Sequence, residues 1–325
     1  MMRFSRLGIL VLLTITVLIG ANCGYYNRII ARKNLVDGSK AYKDRKFEQA
    51  EEFFRQAVAR DPKGESVEGK TAQLFLARTL HSEYIGNRSN TAKAEEAIKE
   101  YQKALVVDPN DQSSYKAIAS LYENLQRTDD WKNWVTERSK NESIKPEHRA
   151  EALVSLAAKQ NTCANDITDT EATKKTVTRD GKQAFQFVKP ADGAEFEKLK
   201  GCVKEGLVLI DQALALQPEA VKNATALDVK SLTDAQLKSN SELMRVFESA
   251  RSYKASLLIQ DMRTADMEGR TDDFNRLKDE SESARTEFTN LSNKVKEIQT
   301  EVDARLAAKE EAESGKSKAN AKASQ

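Results

Sequence analysis

The chain has 325 residues, of which 31% are charged and 39% apolar, and its mean hydropathy is −0.63. Its 52 basic and 50 acidic residues leave a net charge of only +2, which argues against the basic footprint of a nucleic-acid binder. Abundant Ala, Lys, Glu and Leu with few apolar residues are the composition of exposed two-layer helical stacks, in which each helix buries one stripe.

The chain opens on a positive stretch, Met1–Arg6 with Arg3 and Arg6, followed by Leu7–Ile19, an uninterrupted run of apolar residues and Thr. That order reads as a secretory signal. The run is shorter than the ~20 residues a spanning helix wants. Cys23 stands just after it, and the arrangement resembles a bacterial lipoprotein signal, in which the Cys becomes the lipidated first residue. Asn22 departs from that signal, which wants Gly, Ala or Ser there. The resemblance implies lipid attachment at Cys23; an uncleaved anchor and a plain cleaved signal stay open for segment 1–23. All three readings export the bulk of the chain. The expected location is a bacterial cell envelope, with the membrane met through the N-terminus and the chain facing the periplasm or exterior.

Phe47–Pro62, FEQAEEFFRQAVARDP, is the stretch around which the next region is organised. Ala50, Phe54 and Ala57 fall at i, i+4 and i+7, one stripe of a helix, and Pro62 stops it. Ala97, Tyr101, Ala104 and Pro109 repeat the spacing, and Gly206, Ile210, Ala213 and Pro218 repeat it more loosely. This resembles the second helix of the tetratricopeptide repeat family, whose unit is a helix–turn–helix of ~34 residues. Gly38 and Phe47 fall where that family has its small helix-A residue and its turn aromatic; Tyr42 lies one position beyond the family's aromatic. Tyr115, Ile118, Ala119 and Tyr122 fit a third helix A, while Trp131, Trp134 and Val135 fit the second helix poorly. The resemblance covers 34–218 as about four units.

Residues 161–193, rich in Thr, Asp and Lys, show no helical period and read as an insert in the fourth unit. Cys163 and Cys202 bracket it. With Cys23 lipidated they are an even pair in an oxidising compartment, and a disulfide between them is expected to tether the insert. Two small buried hydrophobes are the other reading.

After a connector, Asp234–Met267 reads as one long helix, and Glu268-Gly269-Arg270 turns the chain into another. In that last helix Phe274, Leu277, Ser281, Ala284, Phe288, Leu291, Val295, Ile298 and Val302 alternate by three and four, a heptad seam. Leu243, Phe247, Ala250, Tyr253, Leu257 and Met262 offer a partner stripe. An antiparallel pair over 234–310 that closes the repeats is one reading. A zipper making a homo-oligomer, or a docking helix, is the other. Residues 311–325, ending GKSKANAKASQ, read as a disordered tail.

No catalytic set is visible. His81 and His148 lie on different units, without Cys or carboxylates at metal-ligand spacing. Neither enzyme activity, nor a metal, nor a cofactor is expected. The family resemblance instead implies a groove lined by the first helix of each unit and gripping a protein partner. Carried over by alignment, that groove holds Ser39, Tyr42 and Lys43, then Arg78, His81 and Ser82, then Ser113, Lys116, Glu123 and Asn124. It has more bases than acids, which suits acidic or carboxylate-bearing segments. The expected fold is all-α, a tetratricopeptide-type helix–turn–helix superhelix with a long C-terminal helical hairpin. The expected function is an envelope-tethered scaffold or adaptor that assembles a multiprotein complex. A structural oligomer built through the C-terminal helix is the alternative, and a small-ligand binder would need a closed pocket.

Overall fold

The computed structural model describes the backbone of residues 6–179 and 181–323, and the side chains of 24–178, 181, and 183–312. Over that span the fold is all-α, a succession of helix–turn–helix pairs broken by one two-stranded hairpin. The chain divides after Trp131 into two units. The side chains of segment 1–23, Cys23 among them, lie outside the described residues. Among the described residues no helix is long and apolar enough to cross a membrane.

The first unit stacks α1 (Arg6–Lys43), α2 (Phe47–Arg60), α3 (Val67–Gly86), α4 (Thr91–Val107) and α5 (Gln112–Asn124), each on its neighbours. Its repeat geometry can be read from polar pairs of constant spacing. Arg28–Glu68 and Tyr42–Ser82 both join α1 to α3 at a separation of 40, so those helices run parallel. Arg78–Ser113 joins α3 to α5 at 35, and Arg88, in the turn just past α3, meets Asn124 at the end of α5 at 36, with the same consequence. Ala50, Phe54 and Ala57 are fully buried, so the stripe read from the sequence faces the neighbouring helices. Gly38 is small because α1 crosses α2 directly above the Phe54 ring: a Cβ there would lie 2.7 Å from Phe54 Cε1. Lys93 of α4 pairs with Glu51 of α2 and Glu83 of α3, tying three helices at one point.

Asp61, just past α2, opens the next pair. Its carboxylate accepts hydrogen bonds from the Glu65 and Ser66 amides at 3.0 and 2.7 Å and from the Ser66 hydroxyl at 2.6 Å. Ser66 in turn caps α3 by accepting from the Gly69 amide. Asp111 caps α5 in the same way, through the amides of Ser113 and Ser114.

After α6 (Thr128–Lys140), the second unit is built on α7 (Pro146–Thr168) and α8 (Gly193–Ala215), packed against α10 (Asp234–Met267); α9 (Glu219–Lys222) and two short 3-10 turns lead into α10. Thr233 caps α10 in a reciprocal capping box with Gln236. Asn161–Ser256 and Asn165–Gln260 both have a separation of 95, so α10 runs parallel to α7, as a further first helix of the stack would. At Gly206 a Cβ would meet Leu257 at 2.8 Å and Gln160 at 3.2 Å, so glycine lets α8 lie close to both α10 and α7. Last comes α11 (Thr271–Ala323), which returns antiparallel along α10: Arg305 reaches Asp234 at one end, and Arg251 reaches the Glu287 carbonyl further along. Gly269 makes this turn with φ +71, and the Arg270 and Gly269 amides close it on Ala265 and Asp266.

Two expectations are corrected here. The insert 161–193 is not free of regular structure. Its first residues continue α7 to Thr168, and most of the rest forms β1 (Lys174–Arg179) and β2 (Lys182–Phe187), antiparallel with Arg179 opposite Lys182. The Lys-rich composition hides the strand signal, whereas Gly181 supplies the positive φ (+75) that a tight hairpin connection demands. Nor does helix stop before the tail 311–325: α11 continues to Ala323. Ala, Lys, Glu and Ser tolerate helix, no Pro intervenes, and the one glycine, Gly315, costs only about 1 kcal/mol.

The heptad seam is spent inside the chain. Leu277, Ser281, Ala284, Leu291, Val295 and Ile298 are buried, and Leu291, Val295 and Ile298 share a core with Phe247 and Leu257 of α10. Phe274, Phe288 and Val302 are half-buried.

Candidate functional site

In the first unit α1, α3 and α5 present their outer faces at a common ledge, and several of the expected groove residues are joined there. The Tyr42 and Ser82 hydroxyls lie 3.1 Å apart, linking α1 to α3. Arg78 donates to the Ser113 hydroxyl at 3.3 Å, linking α3 to α5, and its guanidinium lies 5.6 Å from the centre of the Phe75 ring. Asn124 accepts from Arg88 at 2.8 Å. Ser39 is turned back on its own helix, donating to the Leu35 carbonyl. Lys43, Lys116 and Glu123 are exposed.

Between α1, α3 and α4 this ledge deepens into an open cleft of about 490 Å³. Tyr42 and Phe47 form one wall, with ring centres 5.4 Å apart and nearly edge-on. His81 and Tyr101 form another, the His81 Nδ1 and Tyr101 hydroxyl 3.4 Å apart. Arg45 and Arg78 bring two cations to the rim. Burial, and then the charge of Arg88, hold the His81 imidazole below its usual value, so it is neutral at pH 7. Burial pushes the Tyr101 phenol up, so it too stays neutral. The cleft therefore offers aromatic walls, neutral hydrogen-bonding groups and a charge that comes from arginine. That combination suits an apolar side chain beside a carboxylate, which a guanidinium can take bidentately.

Arg45 and Phe47 were not among the groove residues expected from the sequence. Arg45 terminates α1 in the left-handed region, φ +59, with its amide donating to the Tyr42 carbonyl and that of Lys46 to the Ala41 carbonyl. This is the position where glycine usually ends a helix. A bulky residue there costs about 1 kcal/mol, and Gln126 takes the same conformation after α5, φ +58, so no sequence signal set Arg45 apart. Tyr101 was assigned to the core alone, and it is buried, but its hydroxyl edge also lines the cleft.

In the second unit Cys163, late in α7, is bonded to Cys202, early in α8, with their Cα atoms 6.2 Å apart. The bridge rests on Ala164, Ile167, Phe196, Leu199 and Val203. Among the described residues no group of three or more His, Cys, Asp or Glu side chains is arranged to hold a metal ion.

No protein-family model matches the chain, and no curated protein matches it. Among solved structures, a chain described as "Functional Characterization of Pseudomonas Aeruginosa pilF" is similar at 15% identity, with 85% of this chain and 99% of that one covered and a TM-score of 0.30. A superposition that loose carries nothing about function, and the site's own residues must speak for it.

Proposed function

We propose that the chain is an envelope-tethered scaffold whose helical repeats bind a protein partner and help assemble a multiprotein complex. The observation that carries this reading is the ledge across α1, α3 and α5. Its hydroxyls and guanidinium are fixed to one another between helices, and it opens into an aromatic cleft with arginine at the rim. Groups already held by neighbours lose little freedom when a partner arrives. A cleft this open suits a side chain presented by a protein better than a small molecule enclosed on all sides.

The tether in this proposal is segment 1–23, with a lipid on Cys23, and the location is a bacterial envelope, facing the periplasm or exterior. Cys23→Ser tests the lipid: the protein should be released from the membrane or persist as a signal-bearing precursor. Unchanged mass and membrane fractionation would point to an uncleaved anchor.

For the groove, a photo-crosslinking residue at Tyr42, used in the native envelope, should capture one predominant protein, with capture lost in Arg78→Glu. Capture that Arg78→Glu leaves unchanged would overturn the assignment. Oligomerisation through α11 is a weaker reading, because the seam a zipper would use lies against α10.

A further inference from the structure

We propose that the outer edge of β1 is a second docking site, which takes an extended acidic protein segment as a third strand of the hairpin. Hydrogen-bonded pairs alternate along an antiparallel ladder. The Val188 amide donates to the Thr173 carbonyl, and the register pairs Lys175 with Gln186 and Val177 with Ala184. It follows that Thr176 and Thr178 turn their N–H and C=O groups away from β2. Both residues are exposed. The Lys174 amide is already taken by the Thr170 carbonyl, so the open stretch begins at the Lys174 carbonyl. The opposite side of the hairpin is nearer the helices, where Arg263 of α10 covers the Phe187 ring at 3.8 Å.

Charge states what kind of strand fits. From Lys174 to Lys189 the sequence has five cations (Lys174, Lys175, Arg179, Lys182, Lys189) against Asp180 alone, a net +4 in a chain whose total is +2. Lysine on an edge discourages neutral and basic strands and selects an acidic one. Phe185, the register partner of Thr176, is 59% exposed, and the Lys174 ammonium lies 4.6 Å from its ring centre, which holds that cation on the Thr176 face of the hairpin.

The hairpin is also held in place. The buried Thr173 hydroxyl donates to the Ile167 carbonyl, Thr168 is bonded to Gln260 of α10, and the Cys163–Cys202 bridge lies close by in α7. Docking on a fixed edge costs less ordering than docking on a loose loop. An anionic bilayer would answer the charge but leave the edge amides and carbonyls without partners, whereas a strand pairs them.

The probe is a blocked, fluorescein-labelled heptapeptide alternating Glu and Val, titrated by anisotropy into the full chain in neutral detergent. Binding should weaken as salt is raised. Thr176→Pro with Thr178→Pro removes two outward amides while sparing the inner ladder. That variant should bind at least about tenfold more weakly, with the disulfide still formed. A Lys–Val peptide should not bind. Equal binding by the proline variant or by the Lys–Val peptide overturns the proposal. So does the absence of peptide binding when phosphatidylglycerol vesicles capture the chain. Should the proline variant lose its hairpin, the wild type decides: peptide should slow amide exchange at Thr176 and Thr178, and unchanged exchange overturns the proposal.

Discussion

The 4-3-5 spacing of small, bulky, small and Pro residues occurs in both units, and its copies are not covered alike: in α2 of the first unit Ala50, Phe54 and Ala57 are all fully buried. In α4 Ala97 and Tyr101 are buried, but Ala104 is only half-covered. In α8 Gly206, Ile210 and Ala213 are all buried, because α10 lies across that helix and Leu257 fills the space above Gly206. The first unit is held mainly by each helix meeting its sequence neighbours. The second adds a disulfide, a hairpin and two long helices to the same motif. One signature can thus be sealed along its whole length in α2 and α8 and left half-covered at one end in α4, and what lies over it decides which.

The sharpest way to break the comparison is Phe54→Ala. Phe54 is fully buried, stacked on Phe75 with Gly38 against its edge. Removing it should cost about 3–5 kcal/mol, since it leaves a cavity where α1, α2 and α3 meet. Urea denaturation, with amide exchange in α1–α3, measures this; a loss under 1 kcal/mol would show the first unit is not held by that contact.

Next comes reduction of the Cys163–Cys202 bridge, with a sequence separation of 39. It should destabilise the second unit by about 3–4 kcal/mol in the chain-entropy view and leave amide exchange in α1–α5 unchanged. Equal changes in both units would dissolve the distinction between them.

Ala97→Leu should cost about 1–3 kcal/mol, because Ala97 is fully buried where α4 meets its neighbours, whereas Lys99→Leu on the exposed face should stay within about 0.5 kcal/mol. Indistinguishable melts would mean that Ala97 is not at a close helix crossing.

Arg45→Gly should act in the other direction. Relieving the left-handed residue at φ +59 should raise stability by up to about 1 kcal/mol while weakening capture of the groove partner. A gain in stability with undiminished capture would remove Arg45 from the binding surface.

The smallest effect is that of pH. His81 titrates below its ordinary 6.5 because burial, and then Arg88, penalise its charged form. Between the two values the unfolded chain binds more protons, so stability rises with pH through that window and levels off above 6.5. His148, lowered chiefly by burial, contributes with the same sign in the second unit. In His81→Gln the melting temperature should fall less between pH 7 and pH 5, and an unchanged slope would assign the dependence elsewhere.

Much of this molecule was written locally. The stripe Ala50–Phe54–Ala57, the stops at Asp-Pro, the bounds of α10 and the small residues Gly38 and Gly206 follow from periodicity and chain breakers, which act within a turn or two. The ledge was legible in outline, since Tyr42, Arg78, Ser82 and Ser113 do meet between helices. The cleft's floor and rim were not. Arg45 enters through a backbone conformation that side-chain spacing cannot show, and Tyr101 serves core and cleft at once. The Asp180-Gly181 pair stood in the sequence, but lysines broke the apolar alternation that would have marked the flanking strands.

The heptad seam of α11 shows the limit most plainly. Its sequence determined that a long apolar stripe must be covered, because leaving it in water costs free energy in proportion to its area. Whether a second chain or its own neighbour would cover it is a matter of distance and orientation. The Gly269 turn decided that, by bringing α11 back antiparallel along α10 before any partner is needed.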